Sequence, residues 1–389
     1  MTKVFTRIAV IFFACLLILY FYQAVNSFPS EGDSLVYHIP IAQSILDGNV
    51  FNPSFGLGFY PSNAEAILSL LIKLNLPLNL FNFFALILLF FASKKLGLTF
   101  GLRKNLSIIF STGICSLPSI LRWLPTQVID IWLAVFFITC LIFLEKPENK
   151  NGYFVKLGLT FGLLTGVKYS GLLFAAVLFP PYFKKIKKYL NCQRLLLFLF
   201  PLFLFGFSWY IRNYILTGNP FYPQSILFFK GLPGWNILKN QQWEVILRFP
   251  EKTINALVSE FLFWPISLPL VIIFVLDSIL KKQKKNLTDV YRPALLGLIS
   301  FFIFLFLPAS FEYNIIVSNY RYSYPAFILL ILSLFLLAQK FKKEREISII
   351  TLLSLMFLPP LDYHPKLIFF ILVPLLIIFG KRKNPENLV

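Results

Sequence analysis

Apolar runs recur from one end of this chain to the other, and short clusters of Lys and Arg separate them. Inside a bilayer every backbone N–H and C=O must find a partner within the protein, so lipid-exposed runs of this kind fold as helices. A mean hydropathy of +0.75, with 58% hydrophobic residues and 47 Phe among 389, leaves too little polar surface to coat a soluble core. The chain therefore reads as an all-α, polytopic membrane protein whose immediate surroundings are membrane lipids. Its net charge of +19 would suit a nucleic-acid binder only if the basic residues gathered on one exposed face. They fall instead between apolar segments, so no nucleic-acid partner is expected and the charge reports topology.

Taking the basic clusters as cytoplasmic anchors gives a path of about 12 transmembrane helices. The first covers Ile8 to Val25, with Lys3 and Arg7 inside. A first outer loop, 26–77, follows, and Asn63 to Asn75 within it reads as an interfacial helix, with Lys73 near its end and Leu76-Pro77-Leu78 breaking it. Crossings are then expected over Leu78 to Ser93, 105–122, 127–144, 154–167, 169–183 and 195–214. A second outer loop runs to about Glu260, and five more crossings are expected near 259–280, 293–308, 323–339, 347–360 and 366–380. Both ends then lie inside. The natural division is 1–225, holding the first outer loop, and 226–389, holding the second loop and the C-terminal helices.

A cleaved signal peptide is the other reading of the first span, but Ala24-Val25-Asn26 is a poor cleavage site. Cys15, Cys115, Cys140 and Cys192 show no paired spacing, so neither disulfides nor zinc are indicated.

Sorting the acids by this topology sets most of them at the outer face, often at a span end: Glu31, Asp33, Asp47, Glu65, Asp130, Glu244, Glu251, Glu260, Glu312 and Asp362. Ionisable residues near a membrane are costly unless something uses them. Glu31-Gly32-Asp33-Ser34-Leu35-Val36-Tyr37-His38 is the densest run. Tyr37 lies one helical turn beyond Asp33, and Ser34 and His38 form a second such pair, so a short helix here projects polar groups together. The plainer reading makes Asp33 a helix N-cap. The same face collects Glu65 in Tyr60 to Glu65, Asp130 at the start of the fourth span, Lys168-Tyr169 in a tight turn, Arg212-Asn213 near the end of the seventh span, and Arg321-Tyr322 before the tenth. Taken singly, each is also an ordinary interfacial anchor.

Asp33 after the first span, the Tyr60 to Glu65 segment, Gly166-Val167-Lys168-Tyr169, and Trp209-Tyr210-Ile211-Arg212-Asn213 followed by Gly218-Asn219-Pro220-Phe221-Tyr222-Pro223 together carry a resemblance. They resemble the multi-spanning GT-C glycosyltransferases, in particular bacterial relatives of the protein O-mannosyltransferases and the lipid A aminoarabinose transferase. The likeness covers roughly residues 1–225, with Arg321-Tyr322 beyond it. The Asp-Glu signature of the protein mannosyltransferases is absent, the acids here being Glu31 and Asp33. The soluble outer domain of some members is also not expected, since Lys381 to Val389 is all that follows the last expected span.

The resemblance implies a transferase in a bacterial inner (plasma) membrane that takes a sugar from a polyprenyl-phosphate donor to a lipid, glycan or protein acceptor at the extracytoplasmic face. It implies Asp33 as general base on the acceptor hydroxyl, with inversion at the anomeric carbon. Arg212 is the first choice for the donor phosphate, then Lys168 and Arg321. Glu65, Asp130, Tyr37, His38 and Asn213 are expected to bind substrate. No cofactor is implied; His38 and His364 are the only histidines, too few for a His-rich metal site, while a divalent ion held by Asp33 and another carboxylate stays open. Two other readings remain in view: a surface-polysaccharide polymerase or ligase, which would use outer arginines without needing Asp33, and a flippase or transporter, which calls for charged or broken segments near the bilayer centre.

Overall fold

The computed structural model describes residues 2–53, 55–226, 228–233, 240–280, 288–309 and 316–355. The expected crossing at 366–380, the end of that at 347–360, Glu312, Asp362, His364 and the basic clusters at 281–285 and 381–383 lie outside the described residues.

The described chain is helical, with only isolated β-bridges such as Ile226 to Phe229. Helix α1 (Thr2–Asn26) buries Phe12, Phe13, Leu16 and Tyr20 on one side and leaves Val10, Ile18, Phe21 and Val25 exposed on the other. An apolar helix with an exposed apolar side is what a lipid-facing span looks like. The segment after α1 then holds a π-helical turn (Ser34–His38) running into α2 (Ile39–Leu46), and α3 (Asn63–Lys73). Helix α3 forms where the sequence led to a short helix over Asn63 to Asn75. Its end is set by Asn75 in the left-handed region at φ 52°, with Leu76 N–H reaching back to Leu71 O at 2.9 Å, before Leu76-Pro77 is reached.

Helix α4 (Leu80–Thr99) runs past the expected end and carries Lys94 and Lys95 within it. It stops where Gly101 takes φ +95° and Leu102 N–H bonds Gly97 O. The expected third crossing is broken: α5 (Lys104–Cys115) ends before Leu117-Pro118, and α6 (Pro118–Arg122) starts on the proline. Helix α7 (Asp130–Glu145) is buried almost all round and has an acid at each end. Helices α8 (Asn151–Thr165) and α9 (Tyr169–Lys187) turn at Gly166 to Lys168, as expected. Helix α10 (Cys192–Leu202), a π-turn (Phe203–Phe207) and α11 (Ser208–Thr217) form one continuous stretch matching the seventh crossing.

In the second half, α12 (Gln242–Arg248) and α13 (Pro250–Phe261) lead to α14 (Ser267–Leu280). The stretches 250–261 and 264–280 meet at 107°, across Leu262 at φ 57°, so the expected straight eighth crossing is bent. Helices α15 (Thr288–Phe306), α16 (Ile316–Asn319), α17 (Tyr324–Lys340) and α18 (Glu344–Ser354) complete the described chain. Four stretches among the described residues, Lys3–Asn26, Leu80–Thr99, Cys192–Thr217 and Ile316–Lys340, are long and apolar enough to cross a bilayer, five if the bent pair counts as one. Helices α5, α7 and α8, with 12, 16 and 15 residues, fall below the roughly 20 that a straight crossing needs. Length and apolarity alone therefore do not give twelve crossings, and the molecule is an all-helical integral membrane protein.

Packing of α8 on α10 rests on glycines four apart, Gly158, Gly162 and Gly166. A Cβ would lie 2.1 Å from Phe198 O at Gly158, 2.7 Å from Pro201 O at Gly162 and 2.0 Å from Phe205 O at Gly166. Lipid tails are as apolar as the helix faces, so membrane helices associate through close approach of this kind. The Gly158→Val protein is expected to lose about 1–3 kcal/mol or more through overpacking and to melt several degrees lower in detergent. Gly152, whose added Cβ meets nothing within 4 Å, serves as control; equal shifts for Gly158→Val and Gly152→Ala would remove the glycine contact from the account.

Candidate functional site

The chain leaving α1 is capped by an acid that the sequence did not single out for that task. Glu31 accepts from Asp33 N–H at 2.9 Å, Ser34 N–H at 2.7 Å and Ser34 Oγ at 2.7 Å. Asp33 makes no side-chain capping bond, so the N-cap reading of that residue is replaced and its carboxylate is available for other contacts. The turn that follows is π-helical, Ile39 N–H bonding Ser34 O. This wider i→i+5 winding is frequent at functional sites, and it carries both Tyr37 and His38.

Asp33 Oδ2 accepts from Arg321 Nη2 at 2.5 Å. Arg321 Nε lies 3.3 Å from Asp130 Oδ2, and Lys168 Nζ donates to Asp130 Oδ1 at 3.0 Å. Two carboxylates and two cations from four distant parts of the sequence thus form one chain of contacts. Aromatic rings wall it: Arg321 lies 5.0 Å from the Trp123 ring centroid and 5.4 Å from that of Tyr322, and Lys168 Nζ lies 4.1 Å above Tyr322. Asp130 is 3% exposed and Arg321 7%, whereas the Asp33 side chain is 39% exposed. The acid open to a reactant is therefore Asp33, and Asp130 is the internal counter-charge that fixes the two cations. Arg321 Nη1 is buried with no hydrogen-bond partner, an unmet donor at the same place.

His38 Nδ1 and Glu65 Oε1 are 2.8 Å apart, and both side chains are buried. Glu65 Oε2 is buried without a partner. The His38 ring packs on Tyr37, centroids 4.0 Å apart. Burial first, and then the Asp33 carboxylate, push the Tyr37 hydroxyl well above the usual phenol range, so it stays a neutral donor.

Amide side chains hold these groups in place. Asn82 Nδ2 reaches Trp123 O and Thr126 O at 3.0 Å and Val128 O at 2.9 Å, tying down the loop between Trp123 and Asp130. Ser34 Oγ accepts from Gln127 N–H, and Gln127 Nε2 donates to Asn79 Oδ1. Asn63 binds the α8 end to α10 and α11: its N–H bonds Gly166 O, its Nδ2 Phe205 O at 2.6 Å, and its Oδ1 accepts from Trp209 Nε1.

Arg212 and Asn213 belong to a different network. Arg212 donates to Asn213 Oδ1 through Nε and Nη2, to Val50 O at 2.9 Å and to Gly58 O at 3.4 Å. Asn213 Nδ2 reaches Phe59 O at 2.8 Å, Tyr169 Oη at 3.0 Å and Pro220 O at 3.3 Å. Together they clasp the 49–59 loop against 217–224, where Gly218 at φ +75° turns the chain. The guanidinium that meets Asp33 is thus that of Arg321, and among the described residues Arg212 makes no ion pair. The structure brings Asp33, Asp130, Lys168 and Arg321 together with Tyr37, His38 and Glu65 beside them, and sets Arg212 and Asn213 apart. Trp123 and Tyr322 are wall residues to which sequence reasoning assigned no binding role; each adjoins a basic residue, which is the signal that points to them.

Among the described residues no group of three or more His, Cys, Asp or Glu side chains is disposed to hold a metal ion. A further buried acid, Glu260, pairs with Arg122 at 2.7 Å.

No family model matches this chain, and no curated protein matches it. Solved structures do. ArnT from Cupriavidus metallidurans bound to undecaprenyl phosphate aligns with a TM-score of 0.57 at 12% identity, over 86% of this chain and 61% of that one. The same protein in the apo state aligns at 0.53 and 13%, over the same shares. The Archaeoglobus fulgidus oligosaccharyltransferase in the apo form aligns at 0.50 and 14%, over 97% of this chain and 54% of that one. The chain spans about three fifths or less of the length of the structures it matches. At such identities the likeness concerns the fold alone, which this chain shares with ArnT and with the archaeal oligosaccharyltransferase.

Proposed function

We propose that this protein is a membrane glycosyltransferase that moves a sugar from a polyprenyl-phosphate carrier to an acceptor hydroxyl at the extracytoplasmic face, with inversion. The observation that carries this reading is the acid-and-base cluster at Asp33: one accessible carboxylate, held by a guanidinium that still has an unmet donor, beside a lysine. A similar fold with undecaprenyl phosphate bound supports a polyprenyl-phosphate donor as the lipid partner.

The chemistry fits the groups. A phosphate is a stable leaving group, so the reaction does not need the paired acid and base of a glycosidase. It needs a base for the acceptor hydroxyl and cations for the charge that builds on phosphate oxygen. Asp33 is the base in this reading. Arg321 and Lys168 receive the phosphate, with Arg321 presenting a planar fork. Asp130 keeps both cations in position before the donor arrives. Residues 1–225 then supply base, lysine and counter-ion, and the C-terminal part contributes Arg321. The acceptor hydroxyl enters on the exposed side of Asp33, opposite the phosphate, in a bacterial plasma membrane with both chain ends inside and about twelve crossings.

Asp33→Asn is expected to lower the rate of transfer from a radiolabelled polyprenyl-phosphate sugar by about 10²- to 10⁴-fold while leaving donor binding in place. Near-normal transfer by that variant would remove the base from the mechanism and favour a polymerase or ligase. Arg321→Gln removes a charge-assisted contact worth about 1.5–3 kcal/mol, so donor KM should rise roughly 10- to 10²-fold. Arg212→Gln should instead lower the melting temperature and expose the 49–59 loop to protease. The opposite pattern, with donor KM tracking Arg212, would return the phosphate to that arginine.

A further inference from the structure

Counting charge around the cluster leaves one carboxylate unanswered. Asp33, Asp130 and Glu65 stand against Lys168 and Arg321, and those two cations pair with Asp33 and Asp130. Among the described residues no Lys or Arg pairs with Glu65; its one partner there is His38, and its second oxygen is buried without a partner. A buried carboxylate left in this state is expensive. The cost falls when a positive charge appears beside it, and the group placed to supply that charge is the imidazole 2.8 Å away. With Nδ1–H turned to Glu65, the neutral ring keeps its lone pair on Nε2, and Nε2 has no hydrogen-bond partner among the described residues. The ring packs on Tyr37, centroids 4.0 Å apart, and the Tyr37 hydroxyl in turn feels the Asp33 carboxylate.

Asp33 is poorly suited to keep a proton. Protonating it would strip Arg321 of the nearer of its two counter-charges, at 2.5 Å. Protonating His38 completes a buried ion pair instead.

We propose that His38, backed by Glu65, is the resting place of the proton that the acceptor hydroxyl gives up, a role that rests on the transferase reading above. The acceptor oxygen forms its bond to the anomeric carbon, and the bond from that carbon to the phosphate oxygen breaks with its electron pair left on phosphate. The hydroxyl proton ends on His38 Nε2, Asp33 returns to its carboxylate form against Arg321, and the imidazolium is neutralised by Glu65. Glu65 is a positioning residue, acting through His38.

The test is the pH dependence of single-turnover transfer by the full-length protein in detergent, with a synthetic polyprenyl-phosphate sugar as donor. Groups around His38 are Glu65 from α3, 2.8 Å away, and Tyr37 from its own turn, with Asp130 from α7 within electrostatic reach and Asp33, Lys168 and Arg321 beyond. Neutral His38 takes over the proton that Asp33 has removed, so the rate rises with pH as the ring loses its own proton. Removing the carboxylate favours the neutral ring, so Glu65→Gln should move this acid limb to lower pH. His38→Gln should abolish the limb and lower kcat by about 10²- to 10⁴-fold, with donor KM and melting temperature close to wild type. A limb that survives in His38→Gln, or that stays put in Glu65→Gln, overturns the proposal while the transferase reading stands. Should the wild-type protein transfer no sugar from any such donor, the transferase reading fails and this one falls with it. Should His38→Gln unfold, Glu65→Gln, which preserves shape, decides alone by the position of its limb.

Discussion

Asp130 is a carboxylate almost closed off from solvent at the start of a helix that is itself buried, and the arrangement of the charged cluster follows from its need for positive charge. Losing one partner of a buried ion pair costs several kcal/mol, because a bare charge remains in a poor solvent for it. Lys168, in the turn between α8 and α9, meets one oxygen, and Arg321, just before α17, lies by the other. Arg321 then reaches on to Asp33 beyond α1. One acid therefore draws the first outer loop, a helix turn and the C-terminal part of the chain to one place. The ring faces of Trp123 and Tyr322 surround the cations and keep their charge from being spread into water.

Backbone geometry elsewhere serves the same end. The glycines of α8 let α10 approach to backbone contact, and Asn63 then links the α8 end, the π-turn after α10 and α11 to the start of α3. Glu65 sits in the first turn of α3, so the close approach of two helices fixes where the carboxylate behind His38 stands. Arg212 and Asn213, by clasping the 49–59 and 217–224 segments, hold the loop that precedes α3. Their part is played on the backbone of the site, at a remove from its charges.

Much of this was legible in the residues. The N-terminal span, the interfacial helix after Asn63, the turn at Lys168 and the stretch 192–217 all follow from apolar runs and their polar punctuation. Asp33, Asp130, Lys168, Arg321, Tyr37, His38 and Glu65 were each recognisable as polar groups at one face. What the sequence did not disclose was partnership. Arg212 and Arg321 look alike as basic residues at span ends, and only folding tells which reaches an acid 288 positions away. Capping by Glu31 was hidden because Asp33 has the better local credentials for it. The bend at Leu262 carries neither Gly nor Pro at its centre, and the break before Pro118 is masked by the apolar residues on both sides. The span count suffers for the same reason: helices such as α7, buried all round by protein, are as apolar as helices facing lipid.

The two ends of α7 differ in how far their charges are answered. At its C-terminal end Glu145 accepts from Tyr182 Oη at 2.5 Å, Lys185 Nζ at 3.1 Å and Arg292 Nη1 at 2.7 and 2.6 Å. Both oxygens are answered twice, and α7, α9 and α15 are locked together there. The end at Asp130, about 22 Å away along a helix of this length, has the same ingredients but leaves them unfinished: Arg321 Nη1 and Glu65 Oε2 lack partners, and Asp33 remains open. A saturated cluster has no use for a ligand and is a structural joint. An unsaturated one carries a standing cost that a bound phosphate and a transferred proton would relieve, and native proteins keep such costs where function requires them.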